Sequence, residues 1–366
     1  MKNVRVRLIM LVAGLTVAAV TTGATLAVRK VPQESVSAAG PLSGAPAPSA
    51  AQPQVKVDLA KLPQGQLPQM AFMVDRVVRG GTGPVATVPG KQPIEQVVRF
   101  GGGLLAVLST GDVTSELRRV EPYAEAFSPG RVAGVTNLVA SAEEDLAAYA
   151  VAGQSAVYWV DSRDTELVQR SLKRPEYGRT AVLAVRGDLV YFSAEGKGYP
   201  APETYYRWDS RSGQVTAVKT VHGFEGLNTA GTAAADFVSG AAQTFCSAVT
   251  ELESGKRRFL TCKYSLDGFT PDDRTVVASE GFRDGGAEAF TAALDATTGQ
   301  VRRQWVGAQF VMAVAEDDNH LLMVVDSGED TAVGIIRCSI GTGTCEMALP
   351  RDRYGRDKVQ LLGART

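Results

Sequence analysis

The amino-acid sequence predicts an all-β chain, a β-propeller of seven four-stranded blades preceded by an N-terminal transmembrane helix and a disordered stalk. Three observations carry that prediction. A turn pattern recurs about every 44 residues, an apolar segment and a Pro/Ala-rich stretch fill the first 54 positions, and short apolar runs alternate with turns through the remainder.

The repeat is an acidic residue followed by Ser or Thr at the third position and Gly at the fourth. It reads Asp209-Ser212-Gly213, Glu251-Ser254-Gly255 and Asp295-Thr298-Gly299. Ser339-Thr342-Gly343 keeps the tail of the pattern, and Asp161-Asp164-Thr165 is a degenerate copy. Successive first residues are 48, 42, 44 and 44 apart. The acidic or hydroxyl side chain bonds the turn backbone and Gly supplies the positive φ, so each copy reads as a hairpin turn. The 312 residues after position 54 hold seven such units, with six or eight also compatible. Asp75 and the neighbourhood of Leu117 fall at the repeat spacing and stand in for the turns of the first two blades.

Residues 1–30 form the membrane anchor or signal segment, with an apolar core at 8–28. These 21 uncharged positions follow Lys2, Arg5 and Arg7 and precede Arg29 and Lys30. That length spans a bilayer, and the charge bias places the N-terminus in the cytoplasm and the domain outside. A cleaved signal peptide, with secretion, is the alternative, since small residues at Thr22–Ala24 and Thr25–Ala27 suit a peptidase. No Cys follows the segment, which excludes a lipid-anchored lipoprotein. Residues 31–54 are a linker punctuated by Pro32, Pro41, Pro46, Pro48 and Pro53, too polar to build a core. Residues 55–366 are the propeller domain.

Composition narrows the function. The first 54 residues carry five cationic side chains and one acidic one, which leaves 33 basic and 38 acidic residues in the remainder. A domain of that charge has no electrostatic reason to bind nucleic acid, and contact with membrane is expected through the N-terminal segment alone.

Four cysteines, Cys246, Cys262, Cys338 and Cys345, bracket two of the predicted turns in pairs. Facing positions of a hairpin lie within disulfide reach, so 246–262 and 338–345 are the expected structural bonds. A zinc site is the rival reading, against which the spacing and the scarcity of histidine both count.

Leu104–Leu108, Asp145–Tyr149, Asp188–Phe192 and Leu321–Val325 read as buried inner strands, and Val359–Leu362 as a final strand joining the chain's two ends in one blade. Ala293–Val301 with Trp305 resembles a repeat of the pyrroloquinoline-quinone-type propellers. Tyr264-Ser265-Leu266-Asp267-Gly268 with Arg274–Ala278 resembles the turn and strand of WD-repeat-like propellers. The layout of anchor, stalk and degenerate propeller is similar to exported actinobacterial β-propeller proteins. The resemblance covers residues 140–350 and implies fold and location, since such families include binding scaffolds, assembly factors and enzymes.

Catalytic signatures are absent: there is no G-x-S-x-G elbow, no H-E-x-x-H helix and no P-loop. His222 and His320 are expected to bond backbone, and Trp159, Trp208 and Trp305 to pack between blades. The Gly-rich Arg79–Gly83 does not suit a phosphate loop. Asp272-Asp273 and Asp317-Asp318-Asn319 are turn acids with calcium as the alternative reading. No catalytic residue, cofactor site or metal site is assigned. The expected function is a binding or assembly module for a protein, peptide or cell-wall glycan on the propeller face. The alternative is a carboxylate-based hydrolase or lyase acting on glycans or lactones.

Overall fold

The structure is a computed structural model and describes residues 54–363 apart from 112–113, 121–131, 152–153, 164–167, 199–201, 240–244, 282–287, 327–332 and 353–357. The expected membrane segment, the linker up to position 53, and Asp164 and Thr165 of the degenerate turn lie outside the described residues. No helix among the described residues is long and apolar enough to cross a membrane.

The regular elements are strands. After β1 (Gln54–Lys56) come β2 (Phe72–Val74), β3 (Val77–Arg79) and β4 (Ala86–Thr87). Four complete four-stranded sheets follow in chain order. The first is β5 (Ile94–Phe100), β6 (Gly103–Gly111), β7 (Thr114–Val120) and β8 (Val132–Ala133). The second is β9 (Val135–Ala140), β10 (Leu146–Val151), β11 (Ala156–Asp161) and β12 (Val168–Lys173). The third is β13 (Tyr177–Arg186), β14 (Leu189–Gly196), β15 (Glu203–Asp209) and β16 (Val215–Val218). The fourth is β17 (Phe224–Leu227), β18 (Ala233–Ser239), β19 (Phe245–Glu251) and β20 (Arg257–Thr261). A longer sheet takes β21 (Tyr264–Phe269), β22 (Thr275–Glu280) and β23 (Glu288–Asp295) into β24 (Val301–Ala315). Through β24 it continues with β25 (His320–Asp326), β26 (Val333–Ser339) and β27 (Cys345–Asp352). The last strand, β28 (Val359–Leu361), pairs antiparallel with β2, so the two ends of the domain share one sheet in the order β28-β2-β3-β4.

The strand β24 changes partners at Gly307, where φ is +93°. Val301–Val306 pairs with β23, and Gln309–Ala315 pairs with β25. The chain thus repeats one antiparallel meander. Seven buried apolar clusters among the described residues each draw on two successive meanders. Sheets packed face to face in sequence, with the core between them, give a β-propeller-like architecture.

The apolar runs expected as inner strands are the second strands instead. Leu146–Val151 is buried throughout, and β25 is buried after its first residue. A second strand is paired along both edges and covered on both faces, which demands unbroken hydrophobicity. The first strand of each meander faces a central channel, and several of these strands, unlike the second ones, place polar side chains there, among them Gln96, Asn137, Glu225, Asp267 and Gln360. Two assignments by spacing are corrected. Asp75 lies at +55° in the turn between β2 and β3, one hairpin before the repeat position, and Leu117 is a buried residue within β7. Their meanders have long third-to-fourth-strand connections, so spacing lost its phase there.

Candidate functional site

One cavity of about 1070 Å³ is lined from every first strand. Gln96 of β5, Asn137 of β9, Val182 of β13, Glu225 of β17, Asp267 of β21, Met312 of β24 and Gln360 of β28 all contribute. It is the channel at the centre of the sheets.

The free edges of the first strands are partly satisfied by amide side chains. The Asn137 amide accepts from Val182 N at 2.7 Å and donates to Val182 O, pairing the edge of β13 as a strand would. Leu138 N donates to Gln96 Oε1 at 2.7 Å one sheet earlier. These contacts cap backbone groups that would otherwise compete for an added strand.

The channel wall also carries a set of acidic side chains. Glu203, Glu225, Asp267 and Glu288 line it. Asp267 and Glu288 lie close to Ser279 and to each other, and neither forms an ion pair with a described lysine or arginine. Asp267 is exposed to the channel but is surrounded by protein atoms. That enclosure, with repulsion from Glu288 and then Glu225, pushes its carboxyl up to about 8. Glu288 is also raised, first by burial and then by Glu280. Sequence reading placed Asp267-Gly268 in a turn. The structure places Asp267 at a bulge in β21, where the register shifts between Leu266 and Gly268. The bulge aims a side chain that regular alternation would have fixed differently.

On the basic side, Arg186 is already engaged. It donates to Val185 O at 2.9 Å, Leu227 O at 3.2 Å and Asn228 O at 3.4 Å. His222 is exposed at the channel wall, with Nδ1 3.7 Å from Asp236 Oδ2. Asp236 is fully buried and accepts from His222 N at 2.7 Å, Gly223 N at 3.0 Å and the Thr250 hydroxyl at 3.2 Å. Its carboxylate therefore organises the chain as it enters β17.

The repeated turns lie away from the channel, each between the third and fourth strand of a meander. Asp209 Oδ1 accepts from Arg211 N and Ser212 N, and Asp295 Oδ1 from Thr297 N and Thr298 N. Glu251 accepts from the Ser254 hydroxyl at 2.9 Å. Gly213, Gly255, Gly299 and Gly343 have φ of +76°, +70°, +72° and +80°. Each donates to the carbonyl of the residue that opens its turn. Cys246 is bonded to Cys262 and Cys338 to Cys345.

The other singled-out residues bond to or pack against their neighbours in the fold. Trp159 Nε1 donates to Gly187 O at 3.3 Å and Trp305 Nε1 to Gly343 O at 3.2 Å, while Trp208 is buried in the core. In the Gly-rich loop, Gly80 O and Pro84 O accept from buried Arg99, and Thr82 N donates to Glu144. Asp273 accepts from Asn228 Nδ2, Thr229 N and Ala230 N, and Asp318 Oδ1 accepts from Asp272 N. His320 Nδ1 lies 3.0 Å from Asp317 Oδ2. Among the described residues no group of three acidic, His or Cys side chains could hold a metal ion.

No protein-family model matches the chain, and no curated protein matches its sequence. Among solved structures, it is similar to an uncharacterised protein of Listeria monocytogenes EGD-e at TM-score 0.48 and 12% identity, over 75% of this chain and 95% of that one. A Mitotic Checkpoint Complex structure aligns at TM-score 0.48 and 12% identity over 86% and 91% of the two chains. TolB from Acinetobacter baumannii aligns at 0.38 and 13% identity over 68% of each. At these scores the similarities bear on neither activity nor partner, and the architecture rests on the sheets themselves.

Proposed function

We propose that the chain is an exported seven-bladed propeller, anchored by residues 8–28 and held on the 31–54 stalk, that binds a protein or peptide through its channel. The count of seven is supported by the bend of β24, which divides the long sheet in two, and by seven inter-sheet cores. The observation that carries the binding reading is the Asp267–Ser279–Glu288 group on the channel wall. Two neighbouring carboxyls repel when both are ionised, so the pair is best satisfied when one of them is protonated. An entering ammonium or guanidinium replaces that proton with a charge-assisted bond. The favoured ligand is thus a basic side chain of a partner protein or peptide, with an amine-bearing cell-wall glycan as the other compatible class.

The second reading is the hydrolase or lyase, favoured by the same raised Asp267. A carboxyl kept protonated beside a second carboxyl is the starting arrangement for acid–base glycan cleavage. Affinity capture separates the two. Full-length protein with its disulfides formed is expected to retain a stoichiometric partner from solubilised envelope, and Asp267→Asn/Glu288→Gln to release it. Capture of nothing by the folded wild type, together with turnover of a glycan or lactone, would replace binding with catalysis.

A further inference from the structure

The ring closes at its weakest sheet. Three residue pairs join β2 to β28, and the neighbouring β3 and β4 are three and two residues long. The ladder is extended at its ends by Asp75 N to Lys358 O at 2.7 Å and Leu362 N to Ala71 O at 2.9 Å, and by the Lys358–Asp75 ion pair at 3.4 Å. If this ladder parts, the N-terminal strands separate from the C-terminal one.

Ahead of β2, the chain runs along the outside of two other meanders. Gln54–Lys56 adds to β24 in parallel, opposite Gln304–Val306, and Val57 N donates to Val306 O at 2.7 Å. Val57 is 2% exposed and packs with Leu59 and Leu62 on the cluster around Trp305 and Met347. Further on, Gly65 N donates to Met347 O at 3.0 Å and Met347 N to Pro63 O at 2.8 Å.

Arg337 then grips the segment from β26. It donates to Gln66 O at 3.0 Å and Leu67 O at 3.1 Å. Its other bonds go to both oxygens of Glu316 and to Glu346 Oε1 at 2.7 Å. These carboxylates raise the guanidinium's pKa, Glu316 most. Gln69 N also donates to Glu316 Oε1 at 2.6 Å.

We propose that residues 54–69 are a strap that locks the seam between β2 and β28. The strap is fastened to β24, β26 and β27, which lie on the β28 side of the seam, and its downstream end leads straight into β2. Between Leu67, held by Arg337, and Phe72, the first residue of β2, the chain can reach at most ~17 Å. A β2 strand that lets go of β28 is therefore retained at high effective concentration and pairs again. The seam opens for good only when the strap has also let go. This inference is independent of what the channel binds and of whether the N-terminus is anchored.

Hydrogen exchange on the full-length chain tests it, with Val57→Pro and Arg337→Gln as separate variants. The first removes the Val57 N–H bond, the second the grip on Gln66 and Leu67. Should one variant fail to fold, the other decides, and the criterion applies to whichever releases the strap amides. Released strap amides should be accompanied by about tenfold or faster exchange in β2 and β28, with β13–β16 across the ring unchanged. Protection of β2 and β28 that survives strap release would overturn the proposal. So would equal acceleration in every sheet, since the strap would then be general core and no lock.

Discussion

Asp267 and Glu288 lie together beside Ser279 at the channel wall, where the Glu288 charge adds to burial in raising the Asp267 carboxyl. The folded protein keeps a proton on Asp267 up to about pH 8, whereas an unperturbed Asp loses it near 3.8. Across that window the folded state binds more protons than the unfolded chain, so this group's contribution to stability is full at the acid end and is lost as pH rises toward 8. Asp267→Asn removes the ionisation and should melt ~1–2 °C above wild type at pH 8, on the order of 1 kcal/mol once screening by channel water is discounted. The two should converge near pH 4. Thermal melts at both values check this, and a variant that is less stable at pH 8 would refute it.

The Asn137 amide spans both backbone groups of Val182, so Asn137→Ala should cost about 1 kcal/mol in urea unfolding, with channel water replacing part of the lost bonding. Asn137→Asp should cost at least as much, because a carboxylate opposes the Val182 carbonyl. An unchanged midpoint in both would mean that the edge of β13 needs no cap.

Gly213 and Gly299 share a turn and nearly the same φ, but their surroundings differ. A Cβ at Gly213 would meet nothing within 4 Å, while one at Gly299 would lie 2.5 Å from Phe259 Cδ2. Gly213→Ala should cost about 1 kcal/mol for its backbone conformation alone. Gly299→Ala should cost a further ~1–3 kcal/mol from overpacking. Equal unfolding midpoints would contradict the packing argument.

The two disulfides enclose loops of different length, with sequence separations of 16 for Cys246–Cys262 and 7 for Cys338–Cys345. Loop-closure entropy makes the first worth more by about 0.7 kcal/mol. Paired Cys→Ser variants, compared by denaturant unfolding, should rank in that order.

The later sheets were legible in the sequence because their turns are chemical. An acidic or hydroxyl side chain plus a Gly at positive φ marks Asp209, Glu251, Asp295 and Ser339 locally, with no need of tertiary context. The first two meanders lack that chemistry, and Asp75 was displaced by one hairpin. The apolar runs announced strands but not their depth, because burial on both faces marks the second strand, not the channel strand. Asp267 was hidden by its setting. Asp-Gly reads as a turn, and only the bulge and the approach of Ser279 and Glu288 from other strands make it a channel residue. A signal was present all the same: Gln96, Asn137, Glu225, Asp267 and Gln360 put polar residues into strands at repeat-like intervals.

The measurement that bears most directly on the channel is calorimetric titration of the full-length protein with a hexalysine peptide at pH 7, in buffers of different ionisation enthalpy. The account predicts binding with net proton release, as the incoming ammonium displaces the proton shared near Asp267, and at least about tenfold weaker binding in Asp267→Asn/Glu288→Gln. No binding to the wild type, or equal affinity and no proton release in both proteins, would contradict it.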